Sequence, residues 1–167
     1  MPELFMLSVM DKVIAVDTNV LVRYFLRDIP AQTKVADELM ELVKAGDIKI
    51  WLSPWVIAEL IWVFSSVYDK PKEFIIDILK ALMVTSGVII SNQKLVAKAM
   101  FYYIDENVDF EDAMIALEAQ KNKVTKGISF DKHFKKFSWL EKWQPPEDVS
   151  AWQRRLRRDE DRHRLPN

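Results

Sequence analysis

The sequence predicts an α/β fold: a central parallel sheet flanked by helices on both faces, a three-layer sandwich. Short apolar, β-branched runs alternate with amphipathic helical stretches along the chain, the pattern a parallel sheet requires. The run Val13-Ile14-Ala15-Val16 is apolar throughout and then stops abruptly at Asp17. In open α/β sheets the carboxyl end of a strand is where ligands bind. A carboxylate aimed there without a cation beside it must be hydrated, protonated or on a metal.

The elements follow in order. Residues 13–17 form the first strand, and Asn19 to Leu26 a short helix carrying Leu21, Tyr24 and Phe25. Pro30 suits a first helical turn, and Val35, Leu39, Leu42 and Val43 keep helical spacing until Gly46 stops the helix. Ile48 to Ser53 is the second strand. Pro54 then opens a helix of Val56, Ile57, Leu60, Ile61, Val63 and Phe64 with Glu59 embedded in it. Pro71 opens the next helix, through Leu82, and Val88 to Ile90 is a third strand. Asn92 caps a helix through Tyr103, Asp109 caps another over Phe110 to Lys121, and Val124 to Phe130 is the last strand. Gly127 is a blemish in that strand, since glycine has no side chain to pack.

Composition bounds the function. A chain of 167 residues fits one domain. With 24 basic and 25 acidic residues, any nucleic-acid binding must rest on local patches. The absence of cysteine excludes disulfides, thiolate metal sites and thiol nucleophiles, and favours the cytoplasm. His133 and His163 are too few for most histidine-built metal sites. No apolar stretch reaches the roughly 20 residues a membrane helix needs. Residues 1–9 lack a basic flank and a cleavage site, so they read as an extension and not as a signal peptide. Residues 10–137 form the domain proper, and 138–167 a charged helical tail rich in arginine.

Asp17, Glu59, Asp112 and Asp131 are the candidate site. Each has a plainer reading. Asp17 is a good helix N-cap, and Asn19 could tie its turn. Glu59 could lie on an exposed stripe. Asp109 and Asp112 have the spacing of a capping box, and acids favour the positive end of a helix dipole. Asp131 could be a turn residue. Together the four suit a divalent cation: Mg²⁺ and Mn²⁺ prefer oxygen ligands, whereas metal-free clustered carboxylates repel.

These residues resemble those of the PIN-domain ribonucleases, and more narrowly the VapC-type toxins of toxin–antitoxin pairs. The resemblance spans about residues 12–137 in blocks: Asp17-Thr18-Asn19-Val20-Leu21-Val22-Arg23-Tyr24, Ser53 to Val63 around Glu59, Val108 to Ala116 around Asp112, and Ser129-Phe130-Asp131-Lys132-His133-Phe134. It implies a PIN-like sandwich and Mg²⁺- or Mn²⁺-dependent cleavage of single-stranded RNA by metal-activated water. It also implies homodimers and inhibition by a cognate antitoxin. On this likeness Asp112 is a ligand, Asp109 an accompanying acid, and Ser129 a hydroxyl supporting Asp17. A PIN nuclease of RNA processing, or a non-catalytic RNA- or protein-binding module on the same fold, are the alternatives.

Arg23 and Arg27 lie four apart on one helix face. They could meet RNA phosphates, or form ion pairs on the surface. Trp55 and Trp62 share a face and point to core or dimer contact. His133 is either a phosphate-orienting group or a plain surface residue. The arginine-rich tail could grip RNA, contact an antitoxin or be solvated.

Overall fold

A computed structural model describes residues 12–144, 148, 150–151, 153–155 and 157–158. The expected extension, residues 1–9, lies outside them, as do Trp152, Arg162 and Arg164 of the tail. The chain divides after Leu117 into two compact units.

The first unit is built on a three-stranded parallel sheet, β1 (Val13–Ala15), β2 (Lys49–Leu52) and β3 (Val88–Ile90), in the order β1-β2-β3. Ile14 pairs with Ile50 and Ala15 with Trp51, while Trp51 pairs with Ile89 and Leu52 with Ile90. Because side chains alternate between faces, Ile50, Leu52 and Ile90 share one buried face. Ala15, Trp51 and Ile89 form a row on the other face that solvent still reaches.

Helices α1 (Thr18–Leu26), α2 (Pro30–Ala45), α3 (Pro54–Trp62), α4 (Lys72–Val84), α5 (Gln93–Asp105) and α6 (Phe110–Lys121) join and follow these strands. Pro30 and Pro54 stand in first turns, where a missing N–H costs nothing. Gly46 ends α2 with φ of 80°, the left-handed conformation glycine adopts without strain. Asn92 precedes α5, also left-handed, but its side chain makes no capping hydrogen bond.

Packing follows the apolar stripes. Leu21 and Val22 of α1 and Ile57, Leu60 and Ile61 of α3 are buried, and the two helices pack against each other. Beyond α3 the chain widens into a π-helical turn, Val63–Val67, closed by the Tyr68 N–H on the Val63 carbonyl at 3.1 Å. Phe64 in that turn is fully buried, with Phe25 and Phe74 edge-on at 6.4 and 5.5 Å. Trp55 and Trp62 are 76% and 56% exposed, so neither is a core residue.

The second unit corrects one expectation. Val124–Phe130 does not form a full strand. Only β4 (Lys126–Gly127) is paired, in parallel with β5 (Glu141–Lys142). Glu141 donates to the Thr125 carbonyl at 2.7 Å and Trp143 to that of Gly127 at 2.8 Å. The physical reason lies in Gly127. It has no side chain to bury, and Leu140 lies over the space: a Cβ there would meet Leu140 Cδ2 at 2.8 Å. A 3₁₀ turn, Lys132–Lys136, follows, leading to the buried Phe137. In the tail, positions 150–151, 153–155 and 157–158 are helical.

Gly127→Ala should therefore weaken the β4–β5 ladder by about 1–3 kcal/mol, the usual cost of overpacking. Hydrogen exchange at the Glu141 and Trp143 amides would read this as faster exchange. The double variant with Leu140→Ala should recover part of the loss, as coupled neighbours do; equal exchange in Gly127→Ala and the parent would refute the packing argument.

Candidate active site

Parallel strands bring their carboxyl ends to one edge, so Asp17 after β1, Ser53 after β2 and Ser91 after β3 stand along the same side of the sheet. Val16 continues the ladder through its N–H on the Trp51 carbonyl at 3.1 Å, and Ser91 does so on that of Leu52 at 2.9 Å. Asp17 then leaves the strand in extended conformation and caps α1, accepting the Val20 N–H at 3.1 Å. The capping reading and the site reading are thus compatible: one carboxylate oxygen takes the cap, and the residue stays exposed. Asn19 lies in the first turn of α1, also exposed.

Glu59 reaches this edge from α3. It sits on the helix's exposed stripe with Trp55 and Trp62. Its carboxylate is nonetheless fixed, accepting the Thr18 hydroxyl at 2.6 Å. Thr18 is only 2% exposed, and a buried hydroxyl needs a partner. The structure thereby joins Glu59 to the residue next to Asp17. Sequence reasoning passed over Thr18; the available signal was a hydroxyl residue directly after a strand-ending Asp.

Asp109 and Asp112 stand together at the start of α6, with a carboxylate oxygen of each within 4.8 Å of the other. Asp109 directly precedes the helix, its carbonyl accepting the Ala113 N–H at 3.0 Å. Asp112 is half-buried in the first turn, where the helix dipole favours negative charge. Close by, Tyr103 has its phenol pushed up by burial first and then by the charges of Asp109, Glu111 and Glu73. The Lys72 ammonium lies 4.7 Å from the Tyr103 ring centre and donates to Asn107 Oδ1 at 3.1 Å.

In the second unit Asp131 caps the 3₁₀ turn, accepting the His133 N–H at 2.7 Å. Its own N–H donates to Ser129 Oγ at 2.9 Å. His133 Nδ1 lies 3.3 Å from an Asp131 carboxylate oxygen.

Arg23 and Arg27 adopt the ion-paired alternative. Arg23 Nη1 meets Asp28 at 2.7 Å and the Tyr68 hydroxyl at 2.8 Å, and Nε donates to Gln32 at 3.0 Å. Tyr68 in turn donates to Asp28 at 2.8 Å. Arg27 forms a two-pronged pair with Asp37, both contacts 2.8 Å, and its side chain is 60% exposed. The Tyr68 hydroxyl and then the Arg23 guanidinium hold the Asp28 carboxyl below its ordinary value. Arg27 does the same for Asp37.

A protein-family model described as the PIN domain matches residues 14–140. No curated protein matches the chain.

Two outcomes follow from this geometry. Thr18→Val should leave the Glu59 carboxylate without its donor and cost about 1–3 kcal/mol in unfolding free energy, whereas Thr18→Ser should restore most of it. The second concerns acid. Asp28's folded value is depressed, so its contribution is present above the unfolded carboxylate value and lost as pH falls through the folded one. Asp28→Asn should lower the thermal midpoint near neutrality, and the gap to the parent should close as the solution is acidified below the carboxylate range. A constant gap at all pH values would refute the linkage.

Proposed function

The chain belongs to the PIN-domain family, and on that premise we propose that it is an endoribonuclease cleaving single-stranded RNA, the toxin of a VapBC-type pair. PIN domains are generally nucleases and generally metal-dependent. The observation that carries the reading is the Thr18–Glu59 hydrogen bond, which secures a second carboxylate beside the strand end that carries Asp17.

The proposed ligands are Asp17, Glu59, Asp112 and Asp131, with Asp109, Asn19 and Ser129 in support. The donor set fits the group: all four offer hard carboxylate oxygens, suited to Mg²⁺ or Mn²⁺ and poorly suited to thiophilic metals. When bound, such an ion supplies the Lewis acidity that activates water and offsets charge on the leaving oxygen. The side chains do the rest by being held. Val20 N–H orients Asp17, Thr18 orients Glu59, and His133 N–H orients Asp131. No covalent intermediate is needed, so the lack of cysteine is no obstacle. Of the two arginines, Arg27 keeps more of its guanidinium in solvent for a phosphate; Arg23 is enclosed by Asp28, Tyr68 and Gln32.

The partners proposed are RNA, a cognate antitoxin and a second copy of the chain, in the cytoplasm. Support for the homodimer comes from Trp62, a large apolar side chain 56% exposed at the end of α3. No helix among the described residues is long and apolar enough to cross a membrane.

Incubation with single-stranded RNA should give cleavage that requires Mg²⁺ or Mn²⁺, stops with EDTA, and leaves a 5′-phosphate and a 3′-hydroxyl. Asp17→Asn, Glu59→Gln, Asp112→Asn and Asp131→Asn should each reduce cleavage at least a hundredfold while circular dichroism stays unchanged. A 2′,3′-cyclic phosphate product, or full activity in EDTA, would overturn the mechanism. Light scattering at micromolar concentration should report a dimer, and a monomer would overturn that part.

A further inference from the structure

The second unit holds a cavity of about 220 Å³ lined by Gly127, Phe130, Leu140 and three lysines, with Ser129 and Asp131 on its wall. Phe130 stands fully in solvent. A lone exposed apolar side chain is ordinary; this one has an unusual setting. The backbone on its far side is pinned by the Asp131 N–H on Ser129 Oγ and by the His133 N–H on the Asp131 carboxylate. The ring is therefore presented on a fixed turn.

Basic groups outnumber acidic ones around it. Lys132 and Lys135 come from the 3₁₀ turn and Lys142 from β5, against the single acid Asp131. The Asp131 carboxylate on the cavity wall is met by His133 at 3.3 Å, and the ion pairs of Arg23, Arg27, Lys34 and Lys44 do not involve these lysines. In a chain whose charges nearly cancel, an exposed ring at a cavity lined by three lysines and one acid is a local patch of the composition that binds unstacked nucleic acid. Bases of any identity stack on aromatic faces, and lysines track the phosphates.

We propose that this cavity is a nucleotide subsite for single-stranded RNA, in which Phe130 stacks a base and Lys132, Lys135 and Lys142 hold the flanking phosphates. The subsite rests on the nuclease reading in one respect: Asp131 is both its wall and a proposed ion ligand, so the stacked base belongs to a nucleotide next to the cut phosphodiester. A duplex, whose bases already stack on one another, has no use for the ring.

The test is fluorescence anisotropy of a short fluorescein-labelled single-stranded RNA titrated with the full chain, carrying Asp17→Asn and kept in EDTA so that no cleavage intervenes. Adding Phe130→Ala should weaken binding about tenfold, the usual loss of one stacked base, and Phe130→Trp should restore it. Binding of a duplex of the same length should not change. Replacing Lys132, Lys135 and Lys142 together by Ala should flatten the salt dependence by about 0.7 per lysine in log–log slope. Unchanged affinity in Phe130→Ala, an equal loss for duplex, or equally tight binding of an acidic peptide would each overturn the subsite. If the subsite fails while the parent chain still cleaves with metal, the nuclease reading stands alone. If binding depends on Phe130 and the parent never cleaves, the subsite stands and the nuclease reading falls.

Discussion

The hydrogen bond from Thr18 to Glu59 ties the start of α1 to α3 at the edge of the sheet that carries Asp17. Thr18 is buried because α1 turns back onto the fold directly after β1. Its hydroxyl, out of water, must find an acceptor. The acceptor is a carboxylate on the exposed stripe of α3, 2.6 Å away. Without that bond Glu59 would sample solvent like the two tryptophans beside it. The bond is available only because β1 and β2 are parallel neighbours, which starts α1 and α3 from the same edge of the sheet. Apolar packing of Leu21 and Val22 near Ile57, Leu60 and Ile61 brings the helices together, and the polar contact then selects the direction of one acid.

Both arginines of the first unit are paired within it. Arg23 within α1 and Arg27 at its end are paired with Asp28 and Asp37. Tyr68, delivered by the π-helical turn after α3, closes the first of these pairs into a triangle. That turn inserts a wider loop of backbone than an α-helix allows, and such turns often mark functional sites. Here it ties the end of α3 to the end of α1. In the second unit three lysines and one acid, Asp131, line the cavity beside Phe130.

Most of the first unit was legible in the chain. Pro30, Pro54 and Gly46 mark helix starts and a stop through backbone constraints that act locally. Residues 88–90 and 110–121 need no more than apolar run length and helical spacing. The second unit was less legible. Val124 to Phe130 has the apolar content of a strand, yet pairing ends after Gly127, where Leu140 occupies the space a side chain would need. A contact thirteen residues away along the chain leaves no periodic trace.

The sequence by itself determined the order of strands and helices and the acids at their ends. These follow from hydrophobic periodicity and from the conformational limits of Pro, Gly and Asp, all of which act over a few residues. It also determined that the candidate ligands are oxygen donors, since the chain has no cysteine and two histidines. Only the tertiary structure decided which readings of a residue hold. It made Asp17 a cap as well as an exposed acid, tied Glu59, still on its exposed stripe, to Thr18, and closed Arg23 and Arg27 into ion pairs. Each of those outcomes depends on a partner found across the fold, and side-chain direction is set by that partner, not by the neighbours in sequence.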